Sequence, residues 1–435
     1  LLIHHGFFNF VYNKIYKQKE VIDLILRKTA NYWVPVVVIL TLLGMVCFNL
    51  NFTQDIRFED HFAPHWSAAR EWMREGWSPY SEETQQATLS LLRDNKSYTD
   101  KVSKGNFLDP VWYIFLYIPI SFIPYLVAKA IWITLLQVSV AVSIHLALEL
   151  SGLNLSFIEK FITVLLGVLF YVFVRDYIAA SMLPFFMMLS LLGVKLALDR
   201  QSVQAGFLFL LAVWVNPVSI FLIIFLLIVL GGRRDNAMLR MLIVGFGFLM
   251  LTSLILFPGW ISQWFAKIVL LEPDLDWLNT PWMGIAKLFP GSSTQISIFL
   301  HIGSFIMLLV EWYGLSRMGE RALQWKMMLT LTVAYFFNLY GDGSALLLIL
   351  PGAFTISKYL SEKWPIAGKI IHWISYLAIG FLSWRLADDP LKLIPEAHGV
   401  LLLLAPLLVF VGLQWFRWWA VASPKALVES NKITG

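Results

Sequence analysis

YWVPVVVILTLLGMVCFNL, residues 32–50, contains no charged side chain. A helix needs about 20 apolar residues to cross a hydrocarbon core of about 30 Å, so this run predicts a membrane crossing and sets the fold class. Comparable runs follow at Met238 to Phe257, Gln295 to Tyr313 and Gly399 to Trp419. The whole chain agrees: of 435 residues 58% are hydrophobic, 15% aromatic and 14% charged, with a mean hydropathy of +0.70. That balance excludes a soluble globular domain. Strand-like alternation is weak, which argues against a β-barrel. The net charge of +5 gives no case for nucleic acid, because the basic residues fall at the ends of apolar runs, where the bias of Lys and Arg toward the cytoplasm accounts for them. The single cysteine, Cys47, lies inside the first run, so no intrachain disulfide is expected.

Lys14, Lys17, Lys19, Arg27 and Lys28 precede that run and no small-residue cleavage site follows it. The expectation is a retained crossing with residues 1–31 in the cytoplasm. Further on, the basic groups Arg317, Arg321, Lys326 and Lys358, Lys363, Lys369 alternate with the acidic groups Glu272, Asp274, Asp276, then Asp342, then Asp388, Asp389. The acidic loops are expected outside. The result is a single all-α polytopic domain of about twelve crossings, with a long first outer loop at 52–125, a bundle at 126–420 and a cytoplasmic tail at 421–435. Two segments leave alternatives open. Asp109 to Pro124 is apolar but short and broken by Pro119, so it either crosses or lies in the interface; the positive-inside rule prefers the interface, which places Lys160, Lys195 and Arg200 inside and Arg175 outside. Gln204 to Leu230 is either one long crossing or two helices hinged at Asn216-Pro217.

The first outer loop carries EDHFAPHWSAAREWMREGWSPY, residues 59–80. Phe62, Trp66, Ala69 and Met73 recur at helical spacing opposite Arg70, Glu71, Arg74 and Glu75, which predicts a helix lying flat in the headgroup region. Gly76 and Ser78-Pro79 end it, and Ser81 with Glu82 and Glu83 opens a second, polar helix. Pro110 to Tyr125 is the third, apolar member, anchored by Trp112, Tyr113, Tyr117 and Tyr125.

This order of elements, running on into Ala128-Lys129-Ala130-Ile131-Trp132, resembles glycosyltransferase family 87. The resemblance implies a GT-C fold and an enzyme that moves a sugar, mannose or similar, from a polyprenyl-phosphate donor to a lipid-linked or cell-envelope glycan acceptor outside the membrane, with inversion and without a metal or other cofactor. The expected partners are that donor, a glycolipid or glycan acceptor and the membrane lipids. The chain departs from the family pattern at Asn216-Pro217, where many members have Lys-Pro, and at Arg175-Asp176-Tyr177.

The resemblance also calls for a carboxylate just before the flat helix. Asp60 is the nearest match, with Asp55 and Glu59 as competitors, and its role would be to take the acceptor hydroxyl's proton. A loop acid interacting with the helix N-terminus is the plainer reading of Asp60. A leaving lipid phosphate calls for cations or ring donors, for which Arg57, His61, His65 and Arg175 are available, whereas Arg70 reads as a rim residue. Asp274, Asp276, Trp277, Asn279 and Trp282 combine carboxylates with indoles, the pairing that grips sugars, although tryptophan is equally an interface anchor. Asp342, between Gly341 and Gly343, and Asn216, in the broken helix, complete the sugar and acceptor set. Asp55, Glu59, Asp60 and His61 have no spacing diagnostic of a metal. The rival reading is a transporter or a non-catalytic transferase-like subunit.

Overall fold

In the computed structural model the described residues are 33, 35–53, 60–94, 105–212, 217–232, 235–271, 280–289, 291–313, 320–338, 343–387 and 397–417. They are helical, with no strand among them. The first candidate span, α1 (Pro35–Thr53), is followed by α2 (Phe62–Glu75), α3 (Glu82–Asp94) and α4 (Ile114–Ser121), the last entered through a 3-10 turn at Val111–Tyr113. The flat helix ends at Gly76, whose φ of +71° is open to glycine. Ser81 starts α3 by accepting from the Thr84 N–H at 3.3 Å. Helix α4 packs on α2: the Trp66 indole N–H donates to the Ile120 carbonyl at 3.0 Å and Arg70 donates to the Ser121 carbonyl at 3.3 Å while stacking over Trp66. The Val111–Ser121 segment is apolar but shorter than a helix that crosses a bilayer unaided.

Helix α5 (Tyr125–Ser151) is the axis on which the remainder is assembled. At 27 residues it is about 40 Å long, enough to span the bilayer. It packs against α6 (Phe157–Val168), α7 (Tyr171–Ile178), α8 (Leu183–Leu198) and α16 (Leu350–Lys363). Its buried Ala, Ser and Thr positions permit that close approach. It also holds α1 by a polar staple: Asn49 donates to Thr134 Oγ1 at 2.9 Å and to Gln137 Oε1 at 3.0 Å, and Gln137 returns a bond to Asn49 Oδ1 at 3.2 Å. Each such bond in a membrane is worth about 0.6 kcal/mol. The staple matters because α1 is otherwise mostly exposed.

The chain continues through α9 (Ser202–Ala212), α10 (Pro217–Gly232), α11 (Ala237–Leu256), α12 (Trp260–Leu271), α13 (Pro281–Ala286), α14 (Ser293–Trp312) and α15 (Glu320–Tyr335). A 3-10 segment, Gly343–Leu348, precedes α16, and α17 (Pro365–Ala387) and α18 (Ala397–Trp415) complete the order. Within the 204–230 region the described residues are helical on both sides of residues 213–216, which lie outside the described residues. Among the described residues six helices are long and apolar enough to cross a membrane, or seven if α6 and α7, bent by 53°, form one span. This is a multi-pass helical membrane protein. Its basic residues gather at the far end of α5: Lys358 lies against Gly152, Lys195 pairs with Glu149 at 3.3 Å, and Lys369 pairs with Glu159 at 3.3 Å. Arg175, by contrast, lies on α7 close to the turn that meets the residue before α2, through the bond from His61 N–H to the Ala179 carbonyl.

Candidate functional site

Asp60 sits two residues ahead of α2 and is fully buried. Its Oδ1 accepts the backbone N–H groups of Phe62 and Ala63, both at 3.0 Å, so it occupies donors that the start of a helix leaves orphaned. Its Oδ2 accepts from Lys129 Nζ at 2.6 Å and from the Tyr125 hydroxyl. Tyr125 and Lys129 are four residues apart on α5 and so present to one face. Lys129 is itself 5% exposed. A buried ion pair offsets its desolvation only when hydrogen bonds satisfy the rest of both groups, and four donors on one carboxylate meet that condition. The Phe62 ring covers the pair, with the Tyr117, Tyr125 and Trp132 rings 5.7, 6.0 and 5.9 Å away.

From this anchor the chain makes a second connection. The His61 backbone N–H donates to the Ala179 carbonyl at 2.9 Å, and the Trp132 indole N–H donates to the Ala180 carbonyl at 3.2 Å. The turn that receives them follows α7 and has Ala180 at φ +50°, a conformation side chains seldom adopt, held by the two incoming donors. Just before that turn, in α7 itself, Asp176 Oδ2 accepts the Ser344 N–H at 2.9 Å and the Ser344 hydroxyl. The neighbouring Gly343 lies so close to α7 that a Cβ there would come within 2.6 Å of the Val172 carbonyl oxygen. Three segments distant in sequence, at Asp60-His61, Arg175 to Ser181 and Gly343-Ser344, therefore meet at one junction. Its closed side is the Asp60 anchor; His61 and Arg175 are exposed. An imidazole and a guanidinium at that edge are able to donate to an anionic oxygen.

His65 stands elsewhere. It is buried, its Nδ1 lies 2.8 Å from the His61 carbonyl and its Nε2 2.6 Å from Asp109 Oδ2. Tyr117 stacks on the ring at 5.0 Å and Phe107 meets it edge-on at 5.2 Å. The Tyr80 hydroxyl donates to the Asp109 carbonyl at 2.7 Å, and Trp264 on α12 donates to the Leu108 carbonyl at 2.8 Å. Burial, and then the Asp109 carboxylate, hold the Tyr80 phenol well above its ordinary range. This cluster fastens the segment before α4 to α2 and α12, and both nitrogens of His65 are engaged in it. Trp282 is also internal: it is 5% exposed and stacks on Phe336 at 4.2 Å.

Asp55, Arg57, Glu59, Asn216, Asp274, Asp276, Trp277, Asn279 and Asp342 lie outside the described residues. Among the described residues no group of three or more His, Cys, Asp or Glu side chains is placed to hold a metal ion. Sequence reasoning missed Lys129 and Tyr125 as the partners of Asp60; their four-residue spacing at the start of α5 was the available signal. A scan against protein-family models found no match, and a search among curated proteins found none either.

Proposed function

We propose that this chain is a membrane glycosyltransferase of GT-C type, about twelve crossings in all, which transfers mannose or a similar sugar with inversion from a polyprenyl-phosphate donor to a lipid-linked or cell-envelope glycan on the outer side. The supporting sequence pattern is the resemblance to glycosyltransferase family 87. The structural observation that carries the reading is the junction of Asp60-His61 with Arg175 to Ser181 and Gly343-Ser344, which draws three of the expected outer loops together beside two exposed cation-bearing side chains. The grouping of basic residues at the other end of α5 supports a cytoplasmic location for that end and for both termini.

In this reading the acceptor hydroxyl oxygen bonds to the anomeric carbon as the bond from that carbon to the phosphate oxygen breaks. A carboxylate takes the hydroxyl proton, and His61 and Arg175 stabilise the phosphate that leaves. For Asp60 to be the base, Tyr125 or Lys129 has to release Oδ2 when the acceptor binds, with Asp55 and Glu59 as the other carboxylates at hand. No metal is required.

A second reading rests on one specific observation: all four hydrogen bonds to the Asp60 carboxylate are internal, as suits a structural anchor in a transferase-like subunit without catalysis. Purified protein in liposomes with a polyprenyl-phosphate-mannose donor and a glycolipid acceptor separates the two. Transfer that drops by two or more orders of magnitude in Asp60→Asn, with folding retained, supports the base role. Equal transfer by Asp60→Asn and the parent removes it, and transfer by neither, across donor sugars, favours the subunit.

A further inference from the structure

Helices α16, α17 and α18 enclose a cavity of about 430 Å³, within the range of small-ligand sites. Phe354, Ile379 and Val409 contribute to its apolar wall. Its mouth is flanked by Ile374 and Leu408, each 62% exposed on the surface that faces hydrocarbon. One imidazole interrupts this lining. His372 is 3% exposed, with Phe354 edge-on at 5.6 Å and Tyr376 stacked at 6.0 Å.

The hydrogen bonds around that ring decide what it lacks. Ser357 donates its hydroxyl to the Ala353 carbonyl at 3.1 Å, and the same oxygen lies 3.2 Å from His372 Nδ1. A hydroxyl has one hydrogen, so the arrangement that satisfies both contacts has Nδ1–H donating to Ser357. In an apolar wall the ring is uncharged, and Nε2 is then a bare lone pair. Nε2 is buried and has no hydrogen-bond partner among the described residues. The nearby Tyr376 hydroxyl does not supply one, because it donates to the Thr163 carbonyl at 2.7 Å. A buried polar atom without a partner calls for a ligand or a water to complete it.

We infer that this cavity binds a membrane-resident alcohol, an apolar body bearing one hydroxyl that donates to His372 Nε2. An ionised phosphate has no hydrogen to offer this acceptor and an ammonium pays a large desolvation cost in an apolar wall, whereas a hydroxyl on a hydrocarbon matches the wall and the acceptor together. The inference is independent of the transferase reading, since the site lies on α16–α18 and uses none of the junction residues.

The test uses the full chain in phosphatidylcholine nanodiscs containing hexadecanol with a mid-chain diazirine, compared with the methyl ether of the same probe. After irradiation, labelled peptides are mapped by mass spectrometry. The alcohol is expected to label α16–α18 about fivefold more than the ether, the scale of one neutral hydrogen bond. His372→Leu should bring the alcohol down to the ether's level, and Ala405→Trp, which fills the cavity from α18, should suppress both. Equal labelling by alcohol and ether in the parent overturns the inference without reliance on any variant. A difference that survives His372→Leu, or undiminished labelling of Ala405→Trp, overturns it as well.

Discussion

Lys129 Nζ lies 2.6 Å from Asp60 Oδ2, and both side chains are closed to solvent. The two residues are 69 positions apart in sequence, yet the pair joins the first turn of α2 to the first turns of α5. Removing one partner strands the other charge. Lys129→Met is expected to destabilise the protein by about 3–5 kcal/mol. Asp60→Asn combined with Lys129→Met should recover much of that loss, because the uncompensated carboxylate is then gone. Unfolding followed by tryptophan fluorescence in detergent measures both, and additive losses would refute the coupling.

Gly343 allows the second contact of the junction. A Cβ there meets the Val172 backbone oxygen at 2.6 Å, whereas a Cβ at Gly247 meets nothing within 4 Å. Gly343→Ala should lower the unfolding midpoint and loosen the Asp176–Ser344 bonds, and Gly247→Ala should be neutral or slightly stabilising through its helix propensity. Amide exchange at Ser344 reports the difference.

His65 and Asp109 secure the entry to α4. Asp109→Asn replaces a charge-assisted bond by a neutral one and is expected to cost about 1–2 kcal/mol. The local result is faster proteolysis near residue 105, with α5 and the bundle still protected. Proteolysis that spreads at once through the bundle would show that the cluster is not a local fastening.

Asp235 offers a pH test away from the spans. The Ser202 hydroxyl and the Ala237 N–H hold its carboxyl below the ordinary value of 3.8. A depressed folded-state value means the contribution is present above about pH 3.8 and is lost as the pH falls through that lower value. Ser202→Ala should move the loss to higher pH, read from amide exchange at the start of α11. Since Asp235 is only partly buried, solvent screening keeps the effect small.

Helix ends were legible in the sequence wherever a local device marks them: Gly76 closes α2, Ser81 opens α3, and Pro124 separates α4 from α5. The membrane class was legible for the same reason, since hydropathy is a local property. Span number is less so. A helix such as α8, 16 residues long, is as apolar as a crossing because its neighbours in the protein are apolar too. Hydropathy alone does not tell protein surroundings from lipid. The candidate site was legible by its residue types at Asp60, His61 and Arg175. Their meeting was not, because the bonds to Ala179 and Lys129 are long-range and leave no periodic trace. His65 shows the limit from the other side: its sequence neighbourhood suggested a donor, while Asp109, 44 residues later, engages it in structure.

The staple between α1 and α5 gives the chain an order in time. Asn49 enters the bilayer during synthesis well before Thr134 and Gln137 exist to receive it, and Asp60 likewise precedes Tyr125 and Lys129. Both wait on the same helix. The arrival of α5 therefore completes two contacts at once: the Asn49 amide gains Thr134 and Gln137, and the Asp60 carboxylate exchanges water for Tyr125 and Lys129.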